Sequence, residues 1–183
     1  MITKERHSYY LLIIIGLIFF VNLDAIYVNI MEARNFITAR EMVNLNNWLL
    51  TTLNDVPRYQ KPPLPTWLTA LFGNLANFKS LILLRLPAAL CSLLLIFGFY
   101  KILPKFKIST EQSFQAALIL ATSFYIIFSG RNGQWDIFTH AFMMICIYYL
   151  WKFFNNDNKL YVHAILAALF FGFSFLSKGP VSL

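Results

Sequence analysis

Long apolar runs alternate with polar stretches along this chain, on a length scale set by a lipid bilayer. A helix needs about 20 mainly apolar residues, rising about 1.5 Å each, to cross one. Segments 9–28, 81–101, 113–130, 136–154 and 160–177 meet that requirement and predict about five membrane spans. A sixth apolar segment, 64–78, is short and contains Pro65, Gly73, Asn74 and Asn77, so it is expected to lie on the membrane without crossing. Lys4 and Arg6 precede the first run as they would in a cleaved signal. No small-x-small site closes that run, which ends in Asn22, Leu23 and Asp24, and it reads as a retained first span.

The polar stretch 31–63 breaks the pattern most sharply. It carries Glu32, Arg34, Arg40, Glu41, Asp55, Arg58 and Lys61 between greasy segments. Positions 32–45 read as a surface helix, with Ala33, Phe36, Ala39 and Val43 on one side and Arg34, Thr38 and Glu41 on the other. Arg40 intrudes on the apolar side. A helix of this type is expected in the headgroup layer. The run Lys61-Pro62-Pro63-Leu64-Pro65 then predicts a stiff, donor-poor elbow that opens a helix.

Composition agrees with the pattern. Of 183 residues, 58% are hydrophobic and 13% charged, against about 45–50% and about 25% in a soluble domain. The expected fold is therefore all-α, a polytopic transmembrane helical bundle with an extracytoplasmic loop, 29–80, of interfacial helices. The net charge of +7 is read by location, because cytoplasmic loops of membrane proteins collect Lys and Arg. With 64–78 not crossing, Lys101, Lys105 and Lys107 fall on the same side as Lys4 and Arg6, and Lys152 and Lys159 join them. That side is cytoplasmic by the usual bias, which makes the protein a multi-pass cytoplasmic (inner) membrane protein with a cytoplasmic N-terminus. Segment 31–80, the turn near 131–135 and the end at Lys178 then share the extracytoplasmic face. No folded soluble face is available to bind nucleic acid. Cys91 and Cys146 sit alone in apolar runs and read as small buried hydrophobes. The chain stops at SKGPVSL directly after an apolar run, which predicts the N-terminal part of a longer protein.

Four groups of residues are candidates for chemistry. Glu32 and Arg34 lie where the first span emerges; a carboxylate there suits a general base and an arginine suits a phosphate. The alternative is an interfacial charge pair that anchors a helix. Arg58 and Lys61 put two cations at headgroup height, fit for a lipid phosphate or for general attraction to anionic lipids. Arg131 and Asp136 bracket the start of the fourth span, where an ionisable residue faces a cavity or a partner; a salt bridge between them is the plain alternative. Lys178, followed by Gly179-Pro180, ends the last helix sharply and doubles as a simple boundary lysine. Arg85 has a logic like that of Asp136 but sits nearer a span end, within snorkelling reach of the surface. His140 and His163 lie in apolar spans and His7 in the N-terminal flank, with no metal-ligand spacing among them.

In order, the motifs are Met31-Glu32-Ala33-Arg34, Arg40-Glu41-Met42, Gln60-Lys61-Pro62-Pro63, Arg85-Leu86-Pro87-Ala88-Ala89, Arg131 to Asp136, and Ser177-Lys178-Gly179-Pro180. This series resembles the N-terminal part of membrane glycosyltransferases of the C-type fold, the family of aminoarabinose transferases acting on lipid A and of protein O-mannosyltransferases. Each motif is weak alone; six in order cover nearly the whole chain. The resemblance implies an enzyme that moves a sugar from a polyprenyl-phosphate carrier to an acceptor outside the cytoplasmic membrane. That acceptor is a glycolipid, as in lipid A modification during lipopolysaccharide biosynthesis, or a protein, as in protein glycosylation.

On that reading Arg34, Arg58 and Lys61 hold the carrier phosphate, with Arg131 and Lys178 also on the substrate side. Glu32 and Asp136 are the candidates for acceptor activation or sugar positioning, unranked. Two positions depart from the family pattern. Met31 stands where the family has Asp, and Gln60 stands where an elbow Glu takes part in metal binding in some relatives. A neutral amide is a poor cation ligand, so no cofactor is expected and no metal through position 60. The short length and the missing Asp leave a second reading, a non-catalytic lipid-binding or scaffold subunit of the membrane. Taken alone, the 183 residues are expected to be inactive. A transporter is disfavoured by the absence of paired broken helices in corresponding halves.

Overall fold

The computed structural model describes residues 4–155 and 160–182. In chain order the elements are α1 (Lys4–Phe20), α2 (Ile30–Asn44), a two-residue hairpin of β1 (Thr52–Leu53) and β2 (Val56–Pro57), α3 (Leu64–Asn74), α4 (Leu81–Ile102), α5 (Thr110–Thr122), α6 (Phe124–Gly130), α7 (Asp136–Phe154) and α8 (Leu160–Lys178). Short 3-10 turns follow α4 and α8. The molecule is an all-α bundle, as the pattern predicts.

Among the described residues, three helices are long and apolar enough to cross a membrane: α4 with its 3-10 extension, α7 and α8. A fourth span is made if the bent pair α5–α6 counts as one. The expected straight span over 113–130 is thus corrected. Ser123 takes an extended conformation (φ −66°, ψ 136°), and the axes on either side differ by 64°. The expected span over 9–28 also changes. Helix α1 runs earlier and ends at Phe20, and its 17 residues reach only about 25 Å. Helix α3, with 11 residues, reaches about 16 Å and is too short to cross about 30 Å of hydrocarbon. The expectation that 64–78 does not cross therefore agrees with the length of α3.

The core forms along α1, α4, α5 and α7. Leu11, Ile15 and Phe19 repeat every four residues on α1 and are fully buried; they meet Ala88, Ile96 and Tyr100 of α4, Ala117 and Ala121 of α5, and Ile137 and Phe138 of α7. The outward faces of α1, α5 and α8 are apolar as well, with Leu17, Ile119, Tyr161 and Ile165 exposed. Helices that are apolar all round belong inside a protein or in lipid. Small residues let the backbones approach: a methyl at Gly130 would strike Ser92 and the ring of Phe19. Helix α7 packs most extensively against α8 and α4.

Polar groups sort to the two ends of the bundle. At one end His7 of α1 lies 5.1 Å from Phe114 of α5, and Lys105 sits over Trp151. Lys101, Lys105 and Lys152 gather there with the start of α1. The expected partner Lys159 lies outside the described residues. At the other end sit α2, the hairpin, α3, the turn 131–135 and the end of α8. The three polar patches singled out in the sequence share this end.

Helix α2 corrects the expected amphipathic surface helix. Its bounds are close to the expected 32–45, but its buried residues are Glu32, Asn35, Thr38, Ala39 and Met42. Glu32, Asn35 and Thr38 turn inward because they are hydrogen-bonded there, while Arg34 stays exposed. Asn35 Nδ2 donates to Thr69 Oγ1 (3.0 Å) and to the Gly133 carbonyl (2.8 Å), while Thr66 Oγ1 donates to Asn35 Oδ1 (2.8 Å). One buried amide so joins α2, α3 and the turn before α7. The following hairpin turns through Asn54 and Asp55, both with positive φ (53° and 61°), as a tight two-residue loop requires. Glu41 holds it by accepting from Thr52 Oγ1 (2.6 Å) and the Asn54 amide (2.7 Å).

Candidate active site

Antiparallel packing of α7 on α8 brings the first residue of one helix beside the last of the other. Asp136 Oδ1 and Lys178 Nζ lie 2.7 Å apart, with about a quarter of each side chain exposed (26% and 28%). Both charges suit their helix ends, an anion at an N-terminus and a cation at a C-terminus. Tyr125 Oη donates to Asp136 Oδ2 at 3.2 Å. Past Lys178, Gly179 turns the chain with φ 71° and faces Pro62 of the elbow. Between elbow and helix end lies an open cleft of about 430 Å³ lined by Lys61 and Lys178, with Thr51, Tyr59 and Gln60 among its walls.

Trp135, one residue before α7, forms a plate beneath two of the cations. It is 3% exposed, and the Arg58 Cζ and Lys61 Nζ atoms stand 5.3 and 6.0 Å from the centroid of its ring. Such contacts favour a cation over an indole face. Arg58 is fixed further by donating to the Arg34 carbonyl and to Thr38 Oγ1, each at 3.1 Å. Its own backbone pairs with Thr51 in both directions. Burial, and then the charge of Arg34, pull the Arg58 pKa down from its ordinary value; the guanidinium stays cationic at neutral pH. A second cleft, about 300 Å³, is lined by Arg34, Arg58, Gln60 and the hairpin. Gln60 borders both clefts. Four of the five residues expected on the substrate side, Arg34, Arg58, Lys61 and Lys178, therefore line two adjoining clefts, and Asp136 is bonded to the fourth.

Arg131 does not join them. Its guanidinium caps the end of α1, donating to the carbonyls of Ile18, Val21 (2.9 Å) and Asn22 (2.6 Å). The alternative reading, an Arg131–Asp136 bridge, is not formed either: free carbonyls at a helix C-terminus attract the arginine, and Lys178 takes the aspartate.

Glu32 is also placed differently from the expected pair with Arg34. It is fully buried, and its carboxylate accepts from Arg85 Nε (2.6 Å), Arg85 Nη2 (2.8 Å) and the Gly133 amide (2.8 Å). Arg85 is itself 0% exposed and gives Nη1 to the Leu23 carbonyl at 2.9 Å, so it does not snorkel. This ion pair ties α2, α4, the segment after α1 and the turn carrying Trp135. Both carboxylates are fully engaged by donors, but Glu32 is fully buried whereas about a quarter of the Asp136 side chain is exposed. Asn35, Trp135 and the Glu32–Arg85 pairing escaped sequence reasoning; the tryptophan beside Asp136 was the one available signal.

Both clefts are lined by cations, and among the described residues no group of three or more His, Cys, Asp or Glu side chains converges. The chemistry open to the site is that of several cations facing one partly exposed carboxylate.

Comparison with known proteins fits this arrangement. A family model described as dolichyl-phosphate-mannose-protein mannosyltransferase matches residues 60–183. Among solved structures, the chain is similar to ArnT from Cupriavidus metallidurans in the apo state, with TM-score 0.85 and 19% identity, over 96% of this chain and 33% of that one. It is similar also to the same organism's ArnT bound to undecaprenyl phosphate, with TM-score 0.84 and 20% identity, over 95% of this chain and 32% of that one. The chain thus spans about a third of the length of these structures and shares their fold over nearly all of its own. No curated protein matches the sequence.

Proposed function

Because this chain belongs to the dolichyl-phosphate-mannose-protein mannosyltransferase family, we propose that it carries the donor-binding face of a glycosyltransferase that moves a sugar from a polyprenyl-phosphate carrier to a glycolipid or protein acceptor. The observation that carries this reading is the cleft lined by both Lys61 and Lys178, where Lys178 holds Asp136 at 2.7 Å. The carrier phosphate sits against Lys61 and Lys178, with Arg58 and Arg34 at its flank. The acceptor hydroxyl oxygen bonds to the anomeric carbon as the bond from that carbon to the phosphate oxygen breaks. The electron pair leaves with the phosphate, whose growing charge the cations stabilise. The acceptor proton passes to the Asp136 carboxylate. Glu32 and Arg85 position the turn that presents Trp135 and Asp136. The orientation that suits this chemistry places the two clefts on the extracytoplasmic face and the lysine-rich end in the cytoplasm.

Carrier binding tests the proposal without requiring turnover. Lys61→Ala is expected to weaken binding of undecaprenyl phosphate to the chain in lipid nanodiscs by about ten- to a hundredfold, the range for losing a hydrogen bond to a charged group. Binding of the non-phosphorylated polyprenol should not change. Equal affinities of the wild type for phosphate and alcohol would sink the reading. Transfer in a complete membrane assay is expected to persist in the presence of EDTA, since Gln60 replaces the metal-binding glutamate of some relatives. Loss of transfer that added divalent cation restores would show the opposite.

A non-catalytic lipid-binding subunit is the second reading, favoured by Met31 in place of the family's Asp and by the full engagement of Glu32. It shares the binding result and differs in transfer, which on that reading is indifferent to Asp136.

A further inference from the structure

The opposite end of the bundle holds a second built hollow. Helices α4 and α7 run side by side in the same direction, and between them lies a groove of about 400 Å³. One wall is Leu94, Phe97 and Lys101; the other is Ile145, Tyr148 and Tyr149. Gly98 opens the space, for a methyl there would approach Met144 to 3.1 Å.

Both walls change character at the same height. From Leu94 to Lys101 on α4, and from Ile145 to Lys152 on α7, the surface passes from aliphatic to cationic over two turns, about 10 Å. Lys101 lies over Phe97 (4.9 Å) and Lys152 over Tyr148 (5.0 Å), each on an aromatic ring that lines the groove. Lys105, over Trp151, stands nearby. Among the described residues no carboxylate forms an ion pair with any of these lysines. Among the described residues their charge is thus available to an outside anion. Tyrosines at this level match the amphipathic belt at a membrane boundary.

We propose that this groove is a binding site for one anionic phospholipid, with an acyl chain along Leu94, Phe97 and Ile145 and its phosphate between Lys101 and Lys152. Length and charge together select this occupant. The groove is apolar for about two turns and then cationic, whereas a soluble anion would have no use for the apolar part. A zwitterionic lipid would bring its own cation against the two lysines. The site is remote from the clefts around Lys61 and does not depend on the transfer reaction.

Native mass spectrometry of the chain, released from micelles containing equal amounts of dioleoylphosphatidylglycerol and dioleoylphosphatidylcholine, tests it. One phosphatidylglycerol should be retained in preference to phosphatidylcholine. Each lysine is worth about fivefold in attraction to an anionic lipid, so Lys101→Gln with Lys152→Gln should reduce that retention by about thirtyfold. Leu94→Trp, which keeps both charges and fills the groove, should also reduce it. Lys61→Ala should leave it unchanged, and inorganic phosphate at the same concentration should not compete. Circular dichroism of each variant should match the wild type. Equal retention of the two lipids, or unchanged retention in correctly folded Lys101/Lys152 and Leu94 variants, would overturn the proposal. So would loss in Lys61→Ala alone, which would seat the lipid at the other end.

Discussion

Asp136→Asn is expected to lower the rate of sugar transfer by about a hundred- to ten-thousandfold, the usual contribution of a positioned general base. Asparagine keeps the size of the side chain and its acceptor toward Tyr125, but it cannot take a proton from the acceptor hydroxyl. The exchange also frees Lys178 from its 2.7 Å partner, so binding of the carrier phosphate should hold or strengthen slightly. A rate that falls while carrier binding persists is the signature sought, read from labelled sugar transferred in membranes and from binding in nanodiscs. If binding falls in step with rate, Asp136 serves to build the cleft and the base lies elsewhere. If neither changes, the lipid-binding reading of the chain moves ahead.

Arg85→Ala is expected to destabilise the fold by about 3–5 kcal/mol, the cost of removing one partner from a buried ion pair. The loss leaves the Glu32 carboxylate at 0% exposure with only the Gly133 amide as a donor, and it orphans the Leu23 carbonyl. Denaturant unfolding in detergent, followed by tryptophan emission, measures the effect. Glu32→Gln combined with Arg85→Met should recover part of the loss, because no net charge then remains buried. A change below about 1 kcal/mol, the scale of an exposed pair, would mean that water reaches these groups and that they do not key the turn to the bundle.

Much of this organisation was legible in the sequence. The bounds of α7 match the predicted 136–154, and α4 and α8 differ from prediction by a single residue, because an uninterrupted apolar run of bilayer length has few other fates. The grouping of Arg34, Arg58, Lys61 and Lys178 at one end followed from counting crossings and weighing lysines. What failed was partner choice. A bridge from Arg131 to Asp136 is the plain alternative at close range, yet Asp136 bonds to Lys178 and Glu32 to Arg85, residues 42 and 53 positions away. Pairs over such separations depend on which helices pack, and periodicity carries no information about that. Helix α2 misled for a related reason. A pattern rule sends Asn35 and Thr38 outward, but hydrogen bonds to Thr66, Thr69 and Arg58 satisfy them inside. The bend at Ser123 left no mark because a serine is tolerated in straight and broken helices alike.

The indole of Trp135 has a consequence beyond its place in the cleft. It draws Arg58 and Lys61 over one ring while Arg34 crowds Arg58 closely enough to oppose its charge. Like charges brought together in this way repel, and part of the folding free energy goes into holding them. This face therefore carries a concentrated positive potential. On the function proposed above, a phosphate bound here would relieve that repulsion, so the same contacts would draw the anion in and stabilise the protein that holds it.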